Sequence, residues 1–310
     1  MDSSGQEKYD QEGENQVNLY KLLGMLESNQ FKCLEDFSVF AGEFLAFVGQ
    51  GGMQADIVSK NESKYHFFQY REEGHHAVTR PINMEIFLMP DEFEQSRKDF
   101  LYSLAHIKEI KEEAALRKNI NRYLYTCQQS IGAALDAYNS PNKARKRNGL
   151  LFEVLIRSVV SEAGVKVDSG DEYLPIKKNN DKMKFQHDII LKDENGAKRA
   201  IGQLKTSSKD RLDKIFLDKY MYDRLANIEI PHFAIFLNDV QRKGTAPKFG
   251  INSTFLPGHF YAYTVALNPL NGVYYLDIRP NMGSNDFMRT HIKEFDGFLV
   301  EDMWRMIESV

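Results

Sequence analysis

The sequence predicts an α/β protein in which a central mixed sheet is flanked by helices and preceded by a helix-rich region. Two observations carry this expectation. A strand–turn–strand segment at 185–205 lies between an amphipathic helix at 146–164 and a short apolar run at 231–239, and most of the chain before them has helical spacing. The 310 residues are 42% hydrophobic and 27% charged, which suits a globular protein of one large domain or two ordinary ones.

Residues 1–14 are polar and mostly acidic, and are expected to be a disordered lead-in. From about 17 to 47, apolar residues at three and four spacing, among them Leu19, Leu22, Leu23 and Leu26, predict helix. Gly49-Gln50-Gly51-Gly52 lacks the Gly-Lys-Ser/Thr ending of a phosphate loop and reads as a turn. Residues 65–70 and 84–89 read as strands, with His75 and His76 in a loop between them. Pro90-Asp91 ends that pattern. Two charged helices follow to Tyr138, parted near 116–121. The turn cluster Asn139-Ser140-Pro141-Asn142 is the expected boundary between a region at 15–140 and a second domain at 141–310.

The helix at 146–164 opens the second part. The stretch from Phe185 to Lys205 then reads as two strands joined by a tight turn, with Asp188 on the first and Gln203 and Lys205 on the second. A helix from about 210 to 227 follows, with Ser208 as its expected N-cap. The run at 231–239 suits a buried strand. Residues 241–258 are rich in Gly, Pro, Lys and Asn and read as a long loop. The segments 258–267 and 272–278 are expected to pair as a hairpin across Asn268 to Gly272. Trp304 belongs to a closing amphipathic helix, where it packs.

The strand pair carries the chemistry. Residues i and i+2 of a strand face the same way, so Gln203 and Lys205 project together with Leu204 on the other side. Asp188 reaches the same face if the hairpin pairs in register. An acid, a neutral oxygen and a lysine so placed suit metal-dependent phosphodiester hydrolysis. A divalent cation supplies a nucleophilic water and neutralises the phosphate. Mg²⁺ needs only one or two carboxylates because it keeps several waters. Asp188, the Gln203 side chain and the Leu204 main-chain carbonyl offer oxygens. Lys205 offers none, so its part is to orient water or offset charge on the phosphate. Each residue also has a plain structural reading. Asp188 could be a solvent-facing strand acid, Lys205 a strand-end lysine and Gln203 a hydrogen-bonded glutamine. Glu153 could be the i,i+4 partner of Arg157 on a helix surface.

Asp188, Gln203 and Lys205 resemble the signature of the PD-(D/E)XK nuclease superfamily in its Q-x-K variant. The segment Lys146 to Gly164 is similar to the first core helix of type II restriction endonucleases, with Glu153 in the place of a helix-borne acid. The resemblance spans roughly Arg145 to Asp239, and strand, strand, helix, strand is the order of that core. It implies a restriction-endonuclease-like fold and a Mg²⁺-dependent, sequence-specific endonuclease acting on double-stranded DNA as a homodimer. Mn²⁺ would substitute for Mg²⁺. Asp188, Glu153, Gln203 and Leu204 would be the metal ligands. The 15–140 region would serve DNA recognition or dimerisation. Two departures stand out: His187, not proline, precedes Asp188, and Gln203 replaces an acid. The second leaves the site one negative charge poorer, which Glu153 restores if its helix packs beside the hairpin.

The net charge of −4 does not favour DNA, but affinity depends on local neutralisation of phosphates. Three basic clusters flank the core: Lys143, Arg145, Lys146 and Arg147; Lys205, Lys209 and Arg211; and Arg242, Lys243 and Lys248. With the hydroxyls of Ser207 and Ser208, those beside the site are expected to hold DNA phosphates. Cys33 and Cys127 need no oxidising compartment, and no run suits a membrane span, so a cytoplasmic location without membrane contact is expected. A repair or structure-selective nuclease, an inactive DNA-binding relative and a chance match by a protein of another class stay open as alternatives.

Overall fold

The computed structural model of the protein describes residues 18–28, 31–53, 55–72, 75–138, 140–176, 181–209, 211–245 and 248–308. The expected lead-in at 1–14 lies outside them, as do Asn139 and Asp210. Helix α1 (Leu19–Glu27) opens at Asn18, whose side chain accepts the Lys21 N–H at 2.9 Å. Helix α2 is Leu34–Gly49. The single helical stretch expected over 17–47 is thus two helices, and the side chain of Arg147 takes up carbonyls of Leu26 and Ser28 where the first one ends.

Strands β1 (Ala55–Val58), β2 (Tyr65–Glu72), β3 (His75–Val78) and β4 (Ile82–Asn83) form a small antiparallel sheet around β2. His75 and His76 therefore stand in a strand and not in a loop. Pairing with β2 decides this, and composition does not reveal such a partner. Residues 84–89 are a turn and not a strand. Phe87 and Leu88 are buried in it, so an apolar run marks burial here without marking extension. Pro90 does not merely break a pattern; it starts helix α3 (Pro90–Ala105) at a position where its missing N–H costs nothing. Helix α4 (Ala114–Asp136) follows, so the helices part at 106–113 and not at 116–121. From Tyr123 to Leu135 every side chain of α4 is buried, which makes it the central helix.

Helix α5 (Pro141–Glu162) leads into the main sheet. Strands β5 (Lys166–Pro175), β6 (Lys182–Lys192) and β7 (Lys198–Ser207) are antiparallel neighbours. Helix α6 (Leu212–Ala226) crosses to β8 (His232–Asn238), which lies parallel to β7. Strands β9 (Val240–Lys243) and β10 (Gly250–Ser253) pair as a hairpin where a structureless loop was expected. Its Val240, Phe249 and Ile251 pack on Tyr65 and Phe67 of β2, which gives the segment the apolar support that its composition hides.

The expected hairpin over 258–278 does not form. Pro257–Ala266 is helix α7, and β11 (Gly272–Tyr275) runs parallel to β8. Aromatic and β-branched residues favour strands, but packing overrides that preference: Phe260 and Thr264, one turn apart, are buried, and Phe260 meets Phe216 of α6 edge-on at 5.8 Å. Strand β12 (Ile292–Glu294) completes a mixed sheet of six strands in the order β12-β11-β8-β7-β6-β5. Alternation in β8 shows how the sheet is sandwiched. Phe233, Ile235 and Leu237 join the core formed with α2, α4 and α5, while Ala234 and Phe236 join the one formed with α6 and α7. Trp304 packs in the closing helical run, its Nε1 donating to the Leu299 carbonyl at 3.1 Å. Among the described residues no helix is long and apolar enough to cross a membrane.

Candidate active site

Strands β6 and β7 pair from Ile189 opposite Gly202 to Lys192 opposite Lys198. Beyond the Ile189–Gly202 pair that register stops, and Asp188 and Gln203 are the next residues on each strand. Gly202 permits the close approach at this point. A Cβ there would stand 2.4 Å from the ring of Phe233 and 2.6 Å from Cγ2 of Ile189, both buried.

Asp188 is 4% exposed, and one of its oxygens links the two strands. Oδ2 accepts the Leu204 N–H at 2.8 Å and forms an ion pair with the Lys205 ammonium. The hairpin thus brings together the acid and lysine that the sequence pairs. Leu204 turns into the core, while Gln203 and Lys205 keep contact with solvent, as strand alternation requires. The Gln203 amide donates to the main-chain carbonyl of Gln186 at 2.8 Å, so its Oε1 is directed away from that carbonyl.

Glu153 reaches the site from α5, whose apolar face packs over the sheet. Burial raises the pKa of its carboxyl, and the charge of Asp188 raises it further, against the opposing effects of Lys205 and Arg157. Two carboxyl groups thus share one partly buried place, and their mutual repulsion is only partly relieved by the two cations. Among the described residues no set of three or more His, Cys, Asp and Glu side chains converges at metal-binding spacing. Two carboxylates with an amide and main-chain oxygens nevertheless form a hard, oxygen-only donor set, which fits a cation that retains water.

Sequence reasoning left out Arg157 and Gly202. Arg157 Nη1 donates to the main-chain carbonyl of Asp188 at 2.8 Å and lies 3.9 Å from Glu153 Oε2. Its helical spacing from Glu153 is legible in the sequence; its reach to β6 is not. His187 is structural: its ring bonds Glu172 at 3.0 Å and packs against Tyr222 of α6.

The basic and hydroxyl residues are not equally available. Arg145 and Lys146 are exposed in the first turns of α5, and Lys209 and Arg211 are exposed beyond β7. Arg147 is instead occupied by Leu26 and Ser28 carbonyls at 2.7 and 2.5 Å. Ser207 Oγ accepts the Lys209 N–H at 3.2 Å. Ser208 is buried, its hydroxyl 3.3 Å from that of Thr254, and it is not the N-cap of α6; Arg211 holds that position. Arg242 bonds the Val78 carbonyl at 2.8 Å and lies over Phe249, which ties it to the small sheets.

No family model and no curated protein matches the chain. Solved structures do. The type IIP restriction endonuclease Kpn2I superposes with a TM-score of 0.70 at 18% identity, over 89% of this chain and 92% of that one. Restriction endonuclease PspGI in complex with substrate DNA gives 0.39 at 12% identity, over 70% and 92%. The specific restriction endonuclease AgeI–DNA complex gives 0.40 at 11% identity, over 76% and 99%. The Kpn2I likeness, spanning nearly all of both chains, shows that this chain has the restriction-endonuclease-like fold.

Proposed function

We propose that the protein is a Mg²⁺-dependent, sequence-specific endonuclease of double-stranded DNA, of the type II restriction kind. The observation that carries this reading is the convergence of Glu153, Asp188 and Lys205 where β6 and β7 part, on a fold shared with Kpn2I. Asp188, Glu153, Gln203 and the Leu204 carbonyl would hold Mg²⁺, or Mn²⁺ in its place. When bound there, such a cation would polarise the phosphate and make a water nucleophilic. Asp188 is anchored by the Leu204 N–H at 2.8 Å. Lys205 supplies a fixed positive charge beside the scissile phosphate and hydrogen bonds to its oxygens or to the attacking water. The buried walls of the hairpin and α5 lower the local dielectric, which strengthens both effects. Exposed Arg145, Lys146, Lys209 and Arg211 would neutralise flanking phosphates, and two copies would cut the two strands of a symmetric site.

The test is digestion of unmethylated phage DNA with Mg²⁺, with an EDTA control, resolved on a gel. Discrete fragments that disappear with EDTA are expected. Intact DNA that the protein nonetheless retains in a gel shift, with modified-base DNA also uncut, overturns the enzymatic reading in favour of an inactive DNA-binding relative.

A further inference from the structure

We infer that Arg157 is a positioning residue that holds the two metal-site carboxylates in convergence before any cation arrives. This rests on the reading of the site proposed above. Glu153 stands on α5 and Asp188 on β6, and no covalent or main-chain link fixes one against the other. Arg157 supplies that link. It is one helical turn after Glu153, so both side chains leave the same face of α5. Its Nη1 donates at 2.8 Å to the main-chain carbonyl of Asp188 itself and stays 3.9 Å from Glu153 Oε2. One guanidinium thus ties the helix to the strand at the residue whose side chain faces the site.

The chemistry requires such a tie. Two carboxylates brought together repel, and Glu153 is partly buried as well, so without a nearby cation it gains by swinging towards water. Arg157 adds to Lys205 in countering the repulsion, with a positive charge that has no oxygen to compete for the metal. Its delocalised guanidinium keeps a hydrogen bond to the strand carbonyl while its charge stays near Glu153, a geometry that the compact ammonium of lysine reproduces less well. Groups that orient metal ligands from outside the coordination sphere typically set metal affinity by about 10- to 100-fold.

The experiment titrates Mn²⁺ into the full-length protein without DNA, following the electron paramagnetic resonance signal of free Mn²⁺. Wild type, Arg157→Gln, Arg157→Lys and Asp188→Asn are compared, and duplex binding without metal is measured alongside. Arg157→Gln is expected to weaken Mn²⁺ uptake about 10- to 100-fold, with Arg157→Lys between it and wild type. Duplex affinity and its salt dependence should stay unchanged. Wild-type Mn²⁺ affinity in Arg157→Gln overturns the inference. So does a loss of duplex affinity with a shallower salt slope and unaltered Mn²⁺ uptake, which would make Arg157 a phosphate contact. If Arg157→Gln fails to fold, Arg157→Lys decides, and unweakened uptake overturns. If wild type takes up no more Mn²⁺ than Asp188→Asn, the proposed metal site itself falls, which differs from a wild type that binds Mn²⁺ while Arg157→Gln binds it equally.

Discussion

Lys205 sits half in the core with its charge on a buried aspartate, a position that a surface lysine would not choose. Removing it leaves the cradle of Asp188 intact through the Leu204 N–H. Lys205→Ala should therefore lower cleavage by about 100- to 1,000-fold while duplex binding in a gel shift persists. Near-normal cutting by that variant would remove Lys205 from the chemistry. Another single residue contributes to the pH dependence of stability. His232 is buried beneath Tyr222, and desolvation pushes its pKa down to about 4 from an ordinary 6.5. The unfolded chain protonates this imidazole first. Its contribution is thus fully present above about pH 6.5 and is lost as pH falls towards and through 4, by about 3 kcal/mol in all. Burial lifts the Asp277 carboxyl to about 6 and works in the opposite direction over much of that window, so the imidazole is isolated by denaturant melts of wild type against a His232 variant. In His232→Phe the slope of stability with pH should be less positive by up to one proton, with His187, also lowered by burial, keeping part of it. An unchanged slope would refute the assignment.

At the scale of elements, the site depends on how close β6 and β7 come before they part. Gly202→Ala would drive a methyl group into Phe233 and Ile189. Neither can yield, because the Phe233 ring packs on Phe298 at 4.8 Å within the core. Overpacking of this kind typically costs about 1–3 kcal/mol. The expected result is a lowered melting temperature with weakened cleavage, partly recovered by adding Phe233→Leu. No recovery would place the strain elsewhere. The same elements mark what the sequence could tell. The β6–β7 hairpin was legible because strand alternation is local, and Leu204 buried between Gln203 and Lys205 is that rule at work. Strand β5 was not, because as an edge strand it is mostly exposed and polar and carries no apolar period. Helix α7 was misread because its aromatic residues suit either state, and tertiary packing such as Phe216 against Phe260 decides between them. Arg157 was legible as a partner of Glu153 but not as a partner of Asp188, since that contact joins residues far apart in the chain.

At the scale of the molecule, one apolar core includes residues from both sides of the turn cluster at 139–142. Phe37, Phe40 and Phe44 of α2 and Leu124, Cys127 and Ile131 of α4 belong to the same buried cluster as Phe152 and Leu155 of α5, Leu204 of β7 and Phe298 near the end of the chain. Helix α5 is the shared wall: it carries Glu153 and Arg157 towards β6 and packs against the N-terminal helices as well. A core cut through this wall would leave apolar faces on both fragments, and burial of such faces is worth roughly 25 cal/mol per Å². The full chain should therefore unfold in a single cooperative transition, with heat and denaturant followed by both fluorescence and circular dichroism. A fragment of residues 141–310, which keeps every candidate site residue, should lack a cooperative melt and bind a hydrophobic dye. Were that fragment to melt sharply by itself and still bind duplex DNA, the N-terminal helices would be an appended module, and the geometry of Glu153 against Asp188 would owe nothing to them.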